Sequence, residues 1–242
     1  MAFEVIVLGA SGTYPTPASA CSGYLLRAED KELWLDAGTG TFANLQRHTN
    51  FLQLEAMVLS HLHLDHILDL YPFYFALRFW PTEPKGFPIY APAGAEALLT
   101  HMFSTSPDKE FQDFGGYLEF RTIESGGTLD IGPFHFEFQR TVHPIECLAM
   151  RITAEGRTLV YTSDTAPSKD VTEFAKGAHV LLTEATLDEP DPNLALVHMT
   201  AEEAGEMAGS AAVGRLILTH VWPQYDAELI AKKARKAFGG ET

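Results

Sequence analysis

The sequence predicts an α/β fold in which layered β-sheets are covered by helices. Short apolar runs of strand-like composition recur along the chain, and several are separated by glycine-containing turns. Helical segments with recognisable caps lie between groups of these runs. No internal repeat, low-complexity tract or linker-like change of composition stands out in the 242 residues, which predicts a single domain over residues 1–242.

Eleven strands are predicted from short runs rich in β-branched, aromatic and leucine residues. The glycine turns at Ser125–Gly127 and Glu155–Gly156 are typical of antiparallel hairpins. In chain order, the predicted strands are Glu4–Leu8, Tyr24–Arg27, Leu33–Asp36, Ala56–Ser60, Ile89–Ala91, Leu118–Ile123, Phe134–Thr141, Leu148–Thr153, Thr158–Ser163, Val180–Glu184 and Leu216–Thr219.

Four helices are predicted between the strands. The third begins with a capping box, in which Thr200 is followed by Glu203. The fourth begins at Asp226 and ends in a run of lysine and arginine residues, which favours the helix dipole at both ends. In chain order, the predicted helices are Ala93–Met102, Ser168–Ala175, Thr200–Ala211 and Asp226–Phe238.

The composition is that of a soluble globular protein, with 46% hydrophobic and 20% charged residues. No apolar run approaches the ~20 residues of a membrane-spanning helix. The first residues lack the basic segment of a signal peptide. Two cysteines that lie far apart in sequence, Cys21 and Cys147, do not indicate a disulfide framework. We therefore expect a cytoplasmic protein that does not span a membrane.

The net charge of −15 argues against a partner such as extended DNA or RNA, because basic residues supply most of the affinity for phosphate backbones. A small anionic substrate is compatible with this charge if a bound metal ion dominates the local field.

The densest group of polar residues is the pattern H-x-H-x-D-H inside an apolar stretch. Residues two apart on an extended segment face the same way, so His61 and His63 could hold one ion together. Asp65 and His66 follow on a turn and could face a second ion. Imidazole and carboxylate ligands suit zinc, with manganese or iron as alternatives. The simpler alternative is a solvated polar loop.

Three further residues of ligand type stand at the carboxyl ends of apolar runs. His143 follows the strand FHFEFQRTV, Asp164 ends TLVYTSD, and His220 ends RLILTH. Each alone is more often a surface histidine or a turn aspartate. Their common placement at strand ends, where side chains leave the core, favours one converging metal site.

This set of motifs resembles the metallo-β-lactamase superfamily over nearly the whole chain. The resemblance implies a four-layer αβ/βα sandwich with two mixed β-sheets and a dinuclear metal site at one sheet edge. Asp36 in LWLDAGTG is similar to the superfamily's supporting aspartate beside a glycine turn. The resemblance implies that one ion binds His61, His63 and His143, that the other binds Asp65, His66 and His220, and that Asp164 bridges both.

Two further stretches are similar to the paired H-E-A-T and H-x-T signatures of ribonuclease Z-like phosphodiesterases. LLTEATLDE contains Glu184 and Thr186, and LVHMTAEE contains His198 and Thr200. The resemblance implies that His198 protonates the leaving oxygen and that Glu184 orients it. The alternative is that both residues lie at the ends of a strand and a helix and have no role in catalysis.

The sequence departs from ribonuclease Z itself in three ways. Thr183 stands where the first histidine of H-E-A-T would be. The interval between His143 and Asp164 leaves no room for the long basic arm that grips tRNA. The chain also stops soon after the helix Asp226–Phe238, where relatives add another strand. Superfamily members that hydrolyse β-lactams have a cysteine at the position of Asp164, which argues against antibiotic hydrolysis.

The function we expect is a dinuclear metal-dependent phosphodiesterase for small nucleotides or cyclic nucleotides. By the resemblance, a water shared by the two ions attacks phosphorus, Asp65 and Asp164 orient it, and His198 serves the leaving group. The alternatives are an ester, thioester or lactone hydrolase on the same fold, or a metal-binding protein without catalysis.

The aromatic segment Asp69–Phe87 follows the metal motif directly. It could form part of the core, a homodimer interface or a lid on which a nucleobase stacks. The first two are the commoner uses of such a segment.

Overall fold

The computed structural model describes residues 3–104, 114 and 116–242, and it contains two mixed β-sheets. The first sheet has seven strands in the order β2-β1-β3-β4-β5-β6-β7. Its strands are β1 (Glu4–Ser11), β2 (Ala20–Cys21), β3 (Gly23–Ala28), β4 (Lys31–Leu35), β5 (Ala56–Val58), β6 (Phe87–Ala91) and β7 (Leu118–Thr122).

The second sheet has six strands in the order β13-β12-β11-β10-β9-β8. Antiparallel pairing joins β8 through β11, and parallel pairing joins β11, β12 and β13. Its strands are β8 (Thr128–Ile131), β9 (Phe134–Arg140), β10 (Leu148–Ala154), β11 (Arg157–Tyr161), β12 (Val180–Glu184) and β13 (Arg215–Thr219).

Helices cover the outer face of each sheet. Those on the first sheet are α1 (Thr41–Leu45), α2 (Leu64–Ile67), α3 (Leu70–Arg78) and α4 (Ala95–Ser104), together with a short 3-10 turn at Phe51–Gln53. Those on the second sheet are α5 (Lys169–Phe174), α6 (Ala201–Ser210) and α7 (Ala227–Phe238). The capping box of Thr200 and Glu203 is present at the start of α6, and Asp226 caps α7.

Three clusters of buried apolar side chains define the layers. The central cluster lies between the sheets and includes Leu33 from β4 and Phe136 from β9. The outer clusters join each sheet to its helices, with Trp34 in one and Leu216 in the other. Leu33 and Trp34 point to opposite faces of the same strand, as the two-residue period of a strand requires. The predicted αβ/βα sandwich with two mixed sheets is confirmed.

Several strands that lead to polar residues end earlier than the sequence predicts. Asp36 and Ser163 have φ values of +54°, and this left-handed conformation takes the backbone out of the strand direction. Strand β4 therefore ends at Leu35 and β11 ends at Tyr161. Both polar side chains belong to the bends at the sheet edge, where a site can form.

One predicted hairpin is confirmed and the other is wrong. Glu155 and Gly156, both with positive φ, form the tight turn between the antiparallel strands β10 and β11. The turn at Ser125–Gly127 instead connects β7 of the first sheet to β8 of the second. Strand β8 is too short and too polar to be indicated by its sequence, so the glycine turn predicts a hairpin between the wrong pair of strands.

The aromatic segment forms helix α3 and the chain that leads to β6. Phe73, Tyr74 and Leu77 face inward and are buried, while Phe79 and Trp80 after the helix are exposed. Packing in the core is therefore one use of this segment. Among the described residues, no helix is both long enough and apolar enough to cross a membrane.

Candidate metal centre and active site

The predicted site residues converge at one edge of the two sheets. Strands β4 and β5 of the first sheet and β9, β11, β12 and β13 of the second all present their carboxyl ends there. The residues that follow these ends are Asp36, the run from Ser60 to His66, His143, Asp164, Thr186 and His220. A shared edge explains how residues far apart in sequence come to lie together.

The H-x-H-x-D-H run leaves β5 and enters helix α2. His63 is extended and precedes the helix, whereas Asp65 and His66 lie within its single turn. His61 and His66 are fully buried, and their ring centroids are 4.1 Å apart. The two halves of the run therefore present ligand atoms to neighbouring positions, as the spacing predicts.

The first group of ligand-type residues is His61, His63, His143 and Asp164, whose ligand atoms all lie within 4.8 Å of one another. His143 Nε2 and His63 Nδ1 face each other at 3.0 Å. His61 Nε2 lies 3.6 Å from Asp164 Oδ2. This is an imidazole-rich set with one carboxylate, a composition that zinc favours.

The second group is Asp65, His66 and His220. His220 Nε2 lies 3.1 Å from Asp65 Oδ2 and 3.4 Å from Asp164 Oδ2, while His66 Nε2 lies 3.4 Å from Asp164 Oδ1. Asp164 therefore contacts residues of both groups through its two oxygens. This is the arrangement that a carboxylate bridging two ions needs.

The buried polar atoms of the cluster fit a pair of metal ions. His61 Nε2, His66 Nε2 and Asp164 Oδ1 are buried and, within the described part of the chain, have no hydrogen-bond partner. Buried polar atoms without partners are rare and costly. Cations between these atoms would satisfy all three, so the His/Asp cluster fits a dinuclear metal site.

The pKa shifts favour metal binding by the first group of histidines and oppose it at His66. Burial, helped by the neighbouring imidazoles, holds the pKa values of His61, His63 and His143 below the ordinary range. Their rings are neutral and offer lone pairs. Burial opposes the charged form of His66 as well, but the carboxylates of Asp164 and Asp36 hold the pKa of His66 well above its usual value. Loading the second group would therefore displace a proton.

Asp36 holds the residues that follow the first sheet's strands in place at the site. Its Oδ1 accepts a hydrogen bond from the Ser60 backbone N–H at 2.7 Å. Its Oδ2 accepts from Ser60 Oγ, from His66 Nδ1 and from the Tyr161 hydroxyl at 2.7, 2.8 and 2.7 Å. A carboxylate behind a histidine fixes the ring so that its other nitrogen faces the metal.

Glu184 performs a different task on the second sheet. The side chain is fully buried, and its Oε1 accepts hydrogen bonds from His198 Nδ1 at 3.0 Å and from the Thr165 backbone N–H at 2.6 Å. Burial opposes the charged imidazole, but the hydrogen bond and charge of Glu184 raise the pKa of His198 above its usual value. The raised pKa favours the protonated form of His198 beside the metal cluster.

His198 borders the metal cluster but is engaged elsewhere. Its ligand atoms group with those of Asp164 and His220, and its ring centroid is 5.4 Å from that of His143. Because Nδ1 is hydrogen-bonded to Glu184, only Nε2 is available to the site. This geometry suits an acid at the rim of the cluster.

The loop after β1 closes one side of the second group. The Thr13 backbone N–H donates to Asp65 Oδ2 at 2.8 Å, and Thr13 Oγ1 accepts from Trp222 Nε1 at 3.0 Å. A Cβ at Gly12 would lie 2.8 Å from the His220 carbonyl oxygen, so only glycine allows this close approach. The loop thereby fixes the Asp65 carboxylate.

Lysine and arginine side chains do not balance these carboxylates in the described part of the chain. Within residues 3–104, 114 and 116–242, no lysine or arginine forms a hydrogen bond or ion pair with the seven ligand-type residues or with the Glu184–His198 pair. A substrate anion at this site therefore needs bound metal ions to balance its charge.

The structure brings all the sequence-predicted site residues together, including Asp36 in its supporting position. Several residues that hold the ligands in place could not be recognised from the sequence. Ser60 and Ser163 gave no signal, while Thr186 was part of a quoted motif but had no assigned role. The backbone carbonyl of Val197, which lies 3.3 Å from His143 Nδ1, could not be found from residue types.

Comparison with known proteins settles the family. A family model described as a beta-lactamase superfamily domain matches residues 31–221. The chain belongs to the metallo-β-lactamase superfamily. A relative from Bacillus subtilis (strain 168), "Probable metallo-hydrolase YhfI", is 34% identical over 98% of this chain and 95% of its own length. The crystal structure of YhfI superposes with a TM-score of 0.87 over 99% of this chain and 94% of that chain, at 30% identity.

The ribonuclease Z-like branch of the metallo-β-lactamase superfamily is also represented. Ribonuclease Z from Thermoplasma acidophilum is 26% identical over 97% of this chain and 92% of its own length. The crystal structure of the short form of human tRNase Z shares the fold, with a TM-score of 0.75 and 22% identity over 91% of this chain and 93% of that chain. Together with the His/Asp cluster, this relationship indicates a metallo-hydrolase of the β-lactamase fold.

Proposed function

We propose that this metallo-β-lactamase superfamily member is a phosphodiesterase for small phosphodiesters, with nucleotides and cyclic nucleotides as the expected class. The observation that carries the proposal is the His198–Glu184 pair beside the metal cluster, with its 3.0 Å hydrogen bond and its buried carboxylate. Cleavage of a P–O bond expels an alkoxide, which is a poor leaving group unless an acid protonates it. His198 is placed to be that acid.

The metals we propose are two zinc ions, with manganese and iron as alternatives, because the ligands are imidazoles and carboxylates. When bound, two such ions lower the pKa of a water to about 7 and neutralise charge on the phosphoryl oxygens. His61, His63 and His143 would hold one ion, Asp65, His66 and His220 the other, and Asp164 both.

The chain's own residues then have separate tasks. Asp65 and Asp164 would orient the attacking water and accept its hydrogen bond, and the Thr13 N–H would keep the Asp65 carboxylate in place. The Nε2 proton of His198 would go to the leaving oxygen, while its Nδ1–H stays on Glu184 Oε1. Because Glu184 raises the pKa of His198, the charged imidazole would persist to higher pH than an ordinary histidine.

A small substrate with an apolar portion fits the surroundings of the site. Four exposed apolar side chains lie within two residues of site residues in sequence: Tyr14 after Thr13, Leu64 after His63, Val142 before His143 and Leu196 two residues before His198. Exposed apolar groups near a site favour contact with a ligand. A nucleobase would supply that contact, whereas the net charge of −15 would repel a long polyanion.

The test is a comparison of substrates on protein loaded with zinc or manganese. We expect turnover of bis-p-nitrophenyl phosphate and of 2′,3′- or 3′,5′-cyclic AMP, lost on addition of chelator, and little turnover of p-nitrophenyl acetate. Hydrolysis of the acetate alone would contradict the proposal and favour an ester hydrolase. Absence of turnover on every substrate, in protein that binds two metals, would contradict catalysis itself.

The matched control for the histidine is His101→Ala, which removes an exposed imidazole on α4. It should leave diester turnover unchanged, whereas His198→Ala should lower it. A homodimer and a cytoplasmic location stay predictions, and light scattering of the purified protein would test the first.

A further inference from the structure

The hydroxyl of Thr186 lies between the metal cluster and the proton-handling pair. Its Oγ1 is 2.8 Å from His220 Nδ1, on the side of the ring that faces away from the cluster. The same oxygen is 2.5 Å from Glu184 Oε2, and His198 Nδ1 lies 3.5 Å from it. Thr186 is fully buried, so no solvent competes for these contacts.

A single proton decides the direction of these hydrogen bonds. The hydroxyl has one O–H to donate and two lone pairs to accept with. Two acceptors are within reach of that proton, the His220 backbone carbonyl at 3.1 Å and the Glu184 carboxylate at 2.5 Å. The shorter contact has the length of a charge-assisted O–H···O⁻ bond, so the proton points to Glu184. Thr186 Oγ1 must then accept from His220 Nδ1–H, because an acceptor facing an acceptor at 2.8 Å would be repulsive.

The proton on Nδ1 also fixes the role of the other nitrogen of the His220 ring, Nε2. In the tautomer with its proton on Nδ1, His220 presents the Nε2 lone pair to Asp65 Oδ2 at 3.1 Å and to Asp164 Oδ2 at 3.4 Å. A lone pair between two carboxylate oxygens is favourable only when a cation lies among them. The orientation of one buried hydroxyl therefore selects the form of His220 that binds metal.

We propose that Thr186 is a positioning residue that couples the metal ligand His220 to the Glu184–His198 pair. The hydrogen bonds run in one direction, from His220 Nδ1–H to Thr186 and from the Thr186 hydroxyl to Glu184. Glu184 also accepts from His198 Nδ1–H and from the Met199 backbone N–H. One buried carboxylate thus supports both a metal ligand and an acid.

The coupling between Thr186 and His220 has a measurable effect on metal affinity. An ion on His220 Nε2 makes the Nδ1–H more acidic and strengthens its bond to Thr186, and bonds in a chain polarise one another. Loss of the hydroxyl removes this support and leaves the Nδ1–H without a partner. Removing a hydrogen-bond partner behind a metal-binding histidine typically costs about 10–100-fold in metal affinity.

This inference deepens the proposed function and rests on its metal site, but not on diester hydrolysis. Its experiment measures zinc binding and a histidine proton, so its failure is distinguishable from failure of the phosphodiesterase proposal, which is measured by substrate turnover.

The experiment compares zinc binding by Thr186→Val, Thr186→Ser and Thr183→Val, measured by competition with a chromophoric chelator. Thr183 is a matched control, because it is also a buried threonine of this segment, and its hydroxyl contacts Thr162 rather than a ligand. We expect Thr186→Val to weaken one of two zinc ions by about 10–100-fold. Thr186→Ser should restore the affinity and Thr183→Val should not change it. Equal affinity in wild type and Thr186→Val would overturn the inference.

A measurement on the wild-type chain keeps the inference testable if Thr186→Val does not fold. In ¹⁵N-histidine spectra of the zinc-loaded protein, the His220 signal is assigned by its loss in His220→Gln. We expect a proton on His220 Nδ1 that exchanges slowly with solvent, because the buried threonine oxygen accepts it. An unprotonated Nδ1, or a proton that exchanges as fast as that of exposed His101, would overturn the inference.

Discussion

The two sheets contribute to the metal centre in different ways. The first sheet supplies its ligands in one short run, from His61 to His66, which spans the segment after β5 and the single turn of α2. The second supplies His143, Asp164 and His220 one at a time, each at the end of a different strand. A local sequence pattern therefore places half of the site, and the register of the second sheet places the other half.

Each sheet also has one fully buried carboxylate behind its ligands. Among the residues that the structure describes, Asp36 accepts hydrogen bonds from a ligand, His66, and from two residues that support the ligands, Ser60 and Tyr161. Glu184 accepts from His198 as well, which belongs to neither main ligand group. Asp36 therefore supports metal binding, whereas Glu184 supports the acid His198 directly and the metal ligand His220 through Thr186. Variants of these residues test that division of roles.

The largest effect is expected at the residue that joins both ligand groups. Asp164→Ala removes the carboxylate that lies within 3.6 Å of His61, His66 and His220. We expect loss of both metals and a fall in diester turnover of about 10³-fold or more, because the water is no longer activated. Metal analysis after gel filtration and the turnover assay measure it. Retention of two zinc ions per chain would contradict the bridging role.

The next effect concerns the acid alone. His198→Ala should lower kcat for a diester with an alkoxide leaving group by about 10²–10⁴-fold, the usual contribution of general acid catalysis. Zinc content should stay at the wild-type level, because His198 belongs to the proton-transfer pair. An unchanged kcat would contradict the role of His198, and a diester with a p-nitrophenolate leaving group should be affected less.

A smaller effect is expected from the carboxylate behind the first sheet's ligands. In Asp36→Asn, an amide N–H₂ group replaces one of the two carboxylate oxygens. If it replaces Oδ2, it faces the groups that now donate to that oxygen, which are Ser60, His66 and Tyr161, and donor then faces donor. We expect zinc affinity to fall by about 10–100-fold, as for other residues that support a metal-binding histidine. Asp130→Asn, at the exposed pair with His135, is the control. Zinc titration in which Asp36→Asn matches this control would contradict the account.

The smallest effect is a shift in pH dependence. The protonated form of His198 is present below its pKa and is lost as pH rises through it. Glu184 raises that pKa against the opposing effect of burial, so Glu184→Gln should lower it. The alkaline fall in turnover should then begin at lower pH in the variant, with the largest rate difference above the variant's pKa. Profiles of kcat against pH with the same alkaline midpoint would contradict the role of Glu184.

The ligands of the two sheets could be predicted from the sequence for different reasons. His61, His63, Asp65 and His66 are adjacent, so their spacing alone predicts a shared site. His143, Asp164 and His220 were found because each ends an apolar strand. The residues that hold them could not be found in this way, since Tyr161 meets Asp36 across 125 positions and Thr186 meets His220 only through the parallel register of β12 and β13.

The fold was predictable where local periodicity was strong and not elsewhere. Helix α3 was missed because its aromatic side chains and Pro72 do not suggest a helix, yet Pro72 lies in the first turn, where no backbone N–H is needed. The early ends of β4 and β11 depend on the left-handed conformations of Asp36 and Ser163. Non-glycine residues rarely adopt that conformation, and it was not expected at these two positions.

In the proposed mechanism, ligands from both sheets hold two metals that act together on a phosphodiester. The most direct measurement titrates metal-free protein with zinc and follows bis-p-nitrophenyl phosphate hydrolysis at each step. The account predicts that turnover is absent without zinc and rises to a plateau at two equivalents per chain. A plateau at one equivalent, or turnover that does not depend on zinc and survives a chelator, would contradict it.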